Sequence, residues 1–208
     1  MTEEQARAAI AADVSRETLE RLSLYAALLV KWQKKINLIA PSTIPLIWSR
    51  HLLDSAQLMK HAPADAQRWL DLGSGAGFPG LVCAAIAHES HPLLRVSLVE
   101  SDQRKAAFLR EAARQMGLSV VVHGLRVADV PPQSADVISA RALAALTDLC
   151  DMAHPHLAPN GICLFQKGAR HADEVEVAES KWHIASEIIP SVTDPDAVVM
   201  RIERLRHV

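Results

Sequence analysis

The apolar residues change their spacing once along the chain, near residue 65. Before that point they recur every three or four positions, and after it short β-branched runs alternate with helical stretches. Leu19, Leu22, Tyr25, Leu28, Leu29, Trp32 and Ile36 form one stripe. They predict a helix over Ser15 to Leu38, with Ser15 as N-cap and Glu17 in the first turn. Pro41 and Pro45 interrupt the pattern, and Ser42 or Thr43 is placed to cap the next helix. Ile44 to Lys60 reads as that second helix, with Pro63 after it. Residues 1–64 are therefore expected to form a helical cap on a larger domain over 65–208.

In that second region Arg68–Leu72, Arg95–Glu100, Val120–His123, Ala135–Ser139 and Ile162–Gln166 read as strands. His183–Ile189 and Ala197–Leu205 read as two more, joined by a turn over Ser191–Asp196. Helices are predicted at Leu81–Ala87, Asp102–Met116, Leu143–Leu157 and His171–Ser180, and Pro159-Asn160-Gly161 as a turn. Repeated βα units predict an α/β fold: a doubly wound, mostly parallel, Rossmann-like sheet of about seven strands. Ligand sites in such sheets lie at the strand C-terminal ends.

The most informative stretch is Asp71-Leu72-Gly73-Ser74-Gly75-Ala76-Gly77-Phe78-Pro79-Gly80, a strand end followed by a glycine turn and a helix start. Glycines admit positive φ and close approach of a ligand, and the helix start presents unpaired N–H groups. Gly75 to Gly80 satisfies the dinucleotide pattern G-x-G-x-x-G, with Glu100 at a ribose-binding distance in sequence. Three features favour S-adenosylmethionine instead. Asp71 stands where a carboxylate repels a pyrophosphate but suits a cationic ligand. The glycines of 73–77 are denser than a helix entry needs, and 208 residues leave little room for a separate substrate domain. The expected contacts are Asp71, Gly73, Ser74, Gly75, Gly77 and Phe78, with Glu100 accepting from the ribose hydroxyls.

Composition narrows the class further. Half the residues are hydrophobic, enough for a full core, and the net charge of −2 makes any nucleic-acid contact a matter of local patches. Cys83, Cys150 and Cys163 are scattered in apolar contexts and are expected to pack in the core rather than form disulfides or a zinc site. No signal peptide, membrane span or metal site is expected, which places the protein in the cytoplasm.

Several separated motifs together resemble the RsmG (GidB) family of small-subunit ribosomal RNA guanine-N7 methyltransferases. They are Lys31–Leu38, Arg50–Ser55, Asp71–Gly80, Arg126–Asp129, Ser139–Ala142 and Lys167-Gly168. The resemblance implies a class I methyltransferase fold using S-adenosylmethionine, with Gly73, Phe78, Val127, Ala128 and Arg141 at the cofactor. The acid usual after the arginine–hydrophobe pair is replaced by Ala128, with Asp129 one place later.

Guanine N7 carries a free lone pair, so in-line transfer of the methyl group needs orientation and water exclusion and no essential general base. Arg141 is the expected catalytic residue, orienting guanine or a phosphate. Lys31, Lys34, Lys35, Arg50, Arg126 and Lys167 are the expected contacts to 16S ribosomal RNA or the small subunit, with Arg170 beside them. His51 and Asp54 are expected to link cap and sheet, and the protein to act as a monomer. Competing readings are a methyltransferase of a small molecule or protein, a dinucleotide-dependent oxidoreductase, and a cofactor-binding module without chemistry.

Overall fold

β-branched runs bounded by glycine and proline become strands, as the pattern predicts. A computed structural model describes residues 1–208. The strands are β1 (Arg68–Leu72), β2 (Arg95–Val99), β3 (Val120–His123), β4 (Ala135–Arg141), β5 (Leu157–Lys167), β6 (Trp182–Pro190) and β7 (Val198–His207). They form one sheet in the order β3-β2-β1-β4-β5-β7-β6. β1 to β5 are parallel, and β7 runs antiparallel to both neighbours. The order in which strands are added reverses at the β1–β4 pair, so a crevice opens beyond the C-terminal ends of those strands.

The helices are α1 (Glu3–Asp13), α2 (Arg16–Gln33), α3 (Asp54–Ala56), α4 (Gly80–Ser90), α5 (Gln103–Gln115), α6 (Leu146–Ala153) and α7 (His171–Glu179). Strand alternation divides the core into two layers. Trp69, Val96, Leu98, Val137, Leu164 and Val199 face α4, α5 and the N-terminal helices, where Leu22, Tyr25, Leu52, Leu58, Leu81 and Phe108 belong to the same buried cluster. Leu70, Leu72, Ile138, Ala140, Cys163, Phe165 and Met200 face the other way, with α6 residues and Trp182. All three cysteines are buried and free, as packing residues should be. No helix is long and apolar enough to cross a membrane.

The departures from the predicted elements have local causes. α1 escapes the apolar pattern because it buries only Ala6 and Ile10; a capping box between Thr2 and Gln5 starts it. The helix predicted to Leu38 stops at Gln33, whose side-chain oxygen accepts from Leu38 N at 2.9 Å and Ile39 N at 3.0 Å and turns the chain. Ser15 caps it as expected.

Ile44 to Lys60 is not one regular helix. It runs as 3-10 turns over Pro41–Leu46, a π segment over Ile47–Leu53, α3, and 3-10 turns over Gln57–Lys60. Pro45 removes a donor, and the carboxylate of Glu3 takes the amides of Trp48 and Ser49 at 2.8 and 2.9 Å, so an i−4 ladder cannot close. Ala40, not Ser42 or Thr43, precedes the segment, without a side-chain cap. The helix predicted from Leu143 starts only at Leu146, and Pro159–Gly161 lies inside β5, where the pairing with β4 is irregular.

Gly80 opens α4 against β1 and β2. A Cβ there would run into Leu98 Cδ2 and lie 2.7 Å from an Asp71 carboxylate oxygen. Gly80→Ala is therefore expected to destabilise the fold by about 1–3 kcal/mol, read as a lower urea midpoint at unchanged slope.

Candidate active site

The crevice holds a cavity of about 630 Å³ lined by the 73–76 loop, Phe78, Glu100 and the Arg126–Ala128 turn. Gly73 and Gly75 take φ of +62° and +55°, which L side chains rarely adopt. A Cβ on Gly75 would find only the Gly73 carbonyl, 3.8 Å away, so this side of the loop is open for close approach of a ligand. Glu100, at the end of β2, is buried, and its two oxygens accept from Gly75 N at 2.8 Å and Asp102 N at 2.7 Å. Each oxygen keeps a lone pair for a hydroxyl. Ser74 faces inward, its hydroxyl on the Asp71 carbonyl at 3.1 Å and its amide on Val99 O at 2.9 Å. Val99, Leu125, Val127, Leu143 and Met152 supply an apolar wall beside these polar groups. An open glycine cradle, a carboxylate with spare lone pairs and an apolar slot fit S-adenosylmethionine: loop amides for its amino acid end, Glu100 for the ribose, the Val127–Ala128 side for adenine.

Two expected cofactor contacts lie elsewhere. Asp71 shares a sheet face with Trp69, so its side chain points under α4 and not into the cavity; it is fully buried. Its Oδ1 accepts from its register neighbour Ser139 at 2.6 Å, and Ser139 accepts from Trp69 Nε1 at 2.8 Å. Burial raises its pKa to about 6, against the opposing pull of the Ser139 hydrogen bond. Asp71 is thus the floor under the loop. Gly77 also faces the cap: a Cβ would sit 2.7 Å from both the Tyr25 hydroxyl and Leu81. That hydroxyl donates to Ala76 O, so α2 helps hold the loop.

Arg141 forms the boundary with a second cavity of about 830 Å³, which reaches from Thr43, Arg50 and Asp54 to α7. Val137, Ser139 and Arg141 alternate onto the cap side of β4, which carries the guanidinium to the irregular segment. Its Nη1 donates to Arg50 O at 3.1 Å and Asp54 Oδ2 at 3.2 Å, and its Nη2 to His51 Nδ1 at 2.9 Å. The guanidinium also lies 4.9 Å from the centre of the Phe78 ring, on which His51 stacks. Phe78 therefore lines the cavity while its ring also packs against this joint and against Tyr25. Asp54 further accepts from Gln166 at 2.6 Å, Gln57 at 2.9 Å and Thr193 at 3.0 Å. Cap, loop and sheet meet at these side chains. The link expected of His51 and Asp54 exists, but each bonds Arg141 rather than the other. As a catalytic group Arg141 is partly committed, because three of its five N–H donors serve the protein.

Arginine can only donate, so His51 Nδ1 must accept and the ring is the neutral tautomer with Nε2–H, 2.9 Å from Thr43 Oγ1. Burial, then Arg141, lowers its pKa to about 3. A depressed value stabilises the fold above the unfolded pKa near 6.5 and loses that contribution as pH falls toward 3. The His51 ring resonance is accordingly expected not to titrate between pH 5 and 8 in NMR. A midpoint near 6.5 would mean the joint is not formed.

The expected RNA contacts divide. Lys31, Lys34 and Lys35 are exposed at the end of α2 and just beyond it, and Arg126 is exposed at the rim of the first cavity. Arg50 lines the second cavity but pairs with Asp194 at 2.8 Å. Lys167 is not available to a phosphate: only 8% exposed, it pairs with Glu174 at 2.5 Å and donates to Ala144 O at 3.0 Å. The sequence reading missed Gln166, Thr193 and Asp194, which lie far from the glycine stretch and join the second cavity only through β5 and the β6–β7 turn. Arg170, which forms no ion pair, lines that cavity too.

The family profile described as GidB, rRNA small subunit methyltransferase G, matches residues 18–198. A ribosomal RNA small subunit methyltransferase G from Cereibacter sphaeroides is 57% identical over 196 residues, 94% of this chain and 95% of its own length. Among solved structures, a SAM-dependent methyltransferase from Aquifex aeolicus superimposes with a TM-score of 0.58 at 16% identity, covering 84% of this chain and 98% of its own. A mitomycin 7-O-methyltransferase, MmcR, gives 0.57 at 16% identity over 85% of this chain and 60% of its own. Both share a Rossmann-like methyltransferase fold with this chain.

Proposed function

The chain belongs to the rRNA small subunit methyltransferase G family, and on that premise we propose that it moves a methyl group from S-adenosylmethionine to N7 of a guanine in 16S ribosomal RNA. The observation that carries this reading is the meeting of two cavities along a single seam, Arg141, Ala142 and Leu143, which line both. One holds a cofactor-shaped cradle; the other has room for a base. The cofactor supplies a methyl group on a sulfonium. Gly73, Ser74, Gly75, Glu100, Val127 and Ala128 bind it, and the cap over 1–64 braces their loop through Tyr25. Arg141, pinned from three sides, positions the seam and keeps two N–H donors for the base or its phosphate. No proton has to leave guanine before attack, so the reaction needs alignment and water exclusion and no general base. We place the enzyme in the cytoplasm as a monomer without a metal, acting on the RNA or the small subunit.

Transfer of labelled methyl to naked 16S ribosomal RNA and to small subunits, mapped by cleavage at 7-methylguanosine, tests the reading. One labelled guanine is expected; label on no RNA would overturn it.

Lys31, Lys34, Lys35 and Arg126 form no ion pair within the protein and are free to meet phosphates. For Lys34→Ala with Lys35→Ala, the plot of log affinity for RNA against log salt is expected to flatten by about one to two units. An unchanged slope would remove these lysines from the interface.

A further inference from the structure

The seam between the cavities contains a backbone feature that the binding of the cofactor does not explain. Ala142 has φ of +52°, a strained conformation for a non-glycine residue that persists only where its surroundings enforce it. The enforcement is visible. Lys167, at the end of β5, donates to Ala144 O at 3.0 Å and pairs with Glu174 of α7 at 2.5 Å. Glu174 in turn accepts from Leu146 N at 2.8 Å, the first amide of α6, which has no side-chain cap of its own. One ion pair thus ties the backbone at Ala144 and Leu146, immediately after the corner. The corner raises Leu143 between the cavities, 37% exposed, with its methyl groups lying over Gly73.

We infer that the Ala142–Leu143 corner is the seat against which the face of the target purine lies during transfer, and that Lys167 and Glu174 are positioning residues that set its height. This rests on the RNA-methylation reading above. An apolar, half-exposed side chain at the only boundary common to both cavities gives a purine face its contact and excludes water at the reacting atoms. The cationic neighbour Arg141 is immobilised beside it, so the seat presents apolar surface toward the base with charge at its edge. An error in height of about an ångström misaligns nucleophile and leaving group, which is worth roughly 10²-fold in rate. The ion pair is explained on these terms: it serves geometry where a phosphate contact would have required a free lysine.

The test is single-turnover methyl transfer to small subunits at saturating substrate and cofactor, with cofactor affinity by calorimetry. Leu143→Ala and Glu174→Gln are each expected to lower the transfer rate at saturating cofactor at least about tenfold, and Glu174→Gln, whose side chain lies outside the cofactor cavity, to change S-adenosylmethionine affinity less than threefold. Leu143→Met should regain most of the rate, because it restores the apolar volume of the seat. Glu174→Gln keeps the acceptor for Leu146 N, so it stays informative if Leu143→Ala folds poorly. Transfer rates within twofold of the parent for both variants, or a loss that saturating cofactor repairs, would overturn the seat. Absence of RNA methylation by the parent protein would instead overturn the function reading beneath it.

Discussion

Glu100→Gln is expected to weaken S-adenosylmethionine binding about 10²-fold, measured by calorimetry. The carboxylate is 8% exposed and already accepts two backbone amides, one on each oxygen, at 2.8 and 2.7 Å. An amide side chain has one acceptor oxygen. Whichever way it flips, its NH₂ faces the N–H of Gly75 or of Asp102. A buried donor facing a donor costs roughly 1–3 kcal/mol, and the charged bonds proposed to the ribose are lost as well. About 3 kcal/mol in total corresponds to the expected factor. The loss reaches the loop too, because Gly75 N holds its turn to this side chain. An affinity within threefold of the parent would show that the ribose does not lie on Glu100.

Arg141→Ala is expected to reduce methyl transfer by about 10²-fold and to lower stability by about 2 kcal/mol. The guanidinium is the shared partner of His51 Nδ1, the Arg50 carbonyl, Asp54 and the Phe78 ring. Removing it leaves a neutral imidazole nitrogen without a donor and frees Phe78 on the cofactor loop. Arg141→Lys should recover little, since a point-charged ammonium cannot reach all three acceptors and lie on a ring. In a double-mutant cycle, Arg141→Ala with Asp54→Asn should show a coupling energy above about 0.5 kcal/mol. A transfer rate within threefold of the parent would reduce Arg141 to a structural tie.

Much of the sheet was legible because parallel buried strands are written as short β-branched runs, and β1 and β3 coincide with their predicted spans. The Ile44–Lys60 segment was less legible because the competing partner for its amides, Glu3, lies 45 residues away from Trp48. The shape of the glycine loop was readable from glycine spacing, since positive φ and close approach are local demands. The roles of Asp71, Gly77 and Lys167 were not, because each is decided by what stands opposite. A strand-end carboxylate looks like a ligand contact until alternation puts it on the Trp69 face beneath α4. A lysine after a strand looks free until α7 brings Glu174 to it.

By itself the sequence determined the order of the strands, the mostly parallel sheet with its glycine turn, and the family, because propensity, periodicity and motif spacing are properties of neighbours along the chain. Only the tertiary structure decided which charges are spent and which are free. Burial and pairing depend on residues brought together from β1, β4, β5, α7 and the cap. So Lys31, Lys34, Lys35 and Arg126 remain open to a partner, whereas Asp71, Lys167 and most of Arg141 are occupied in holding the site in shape.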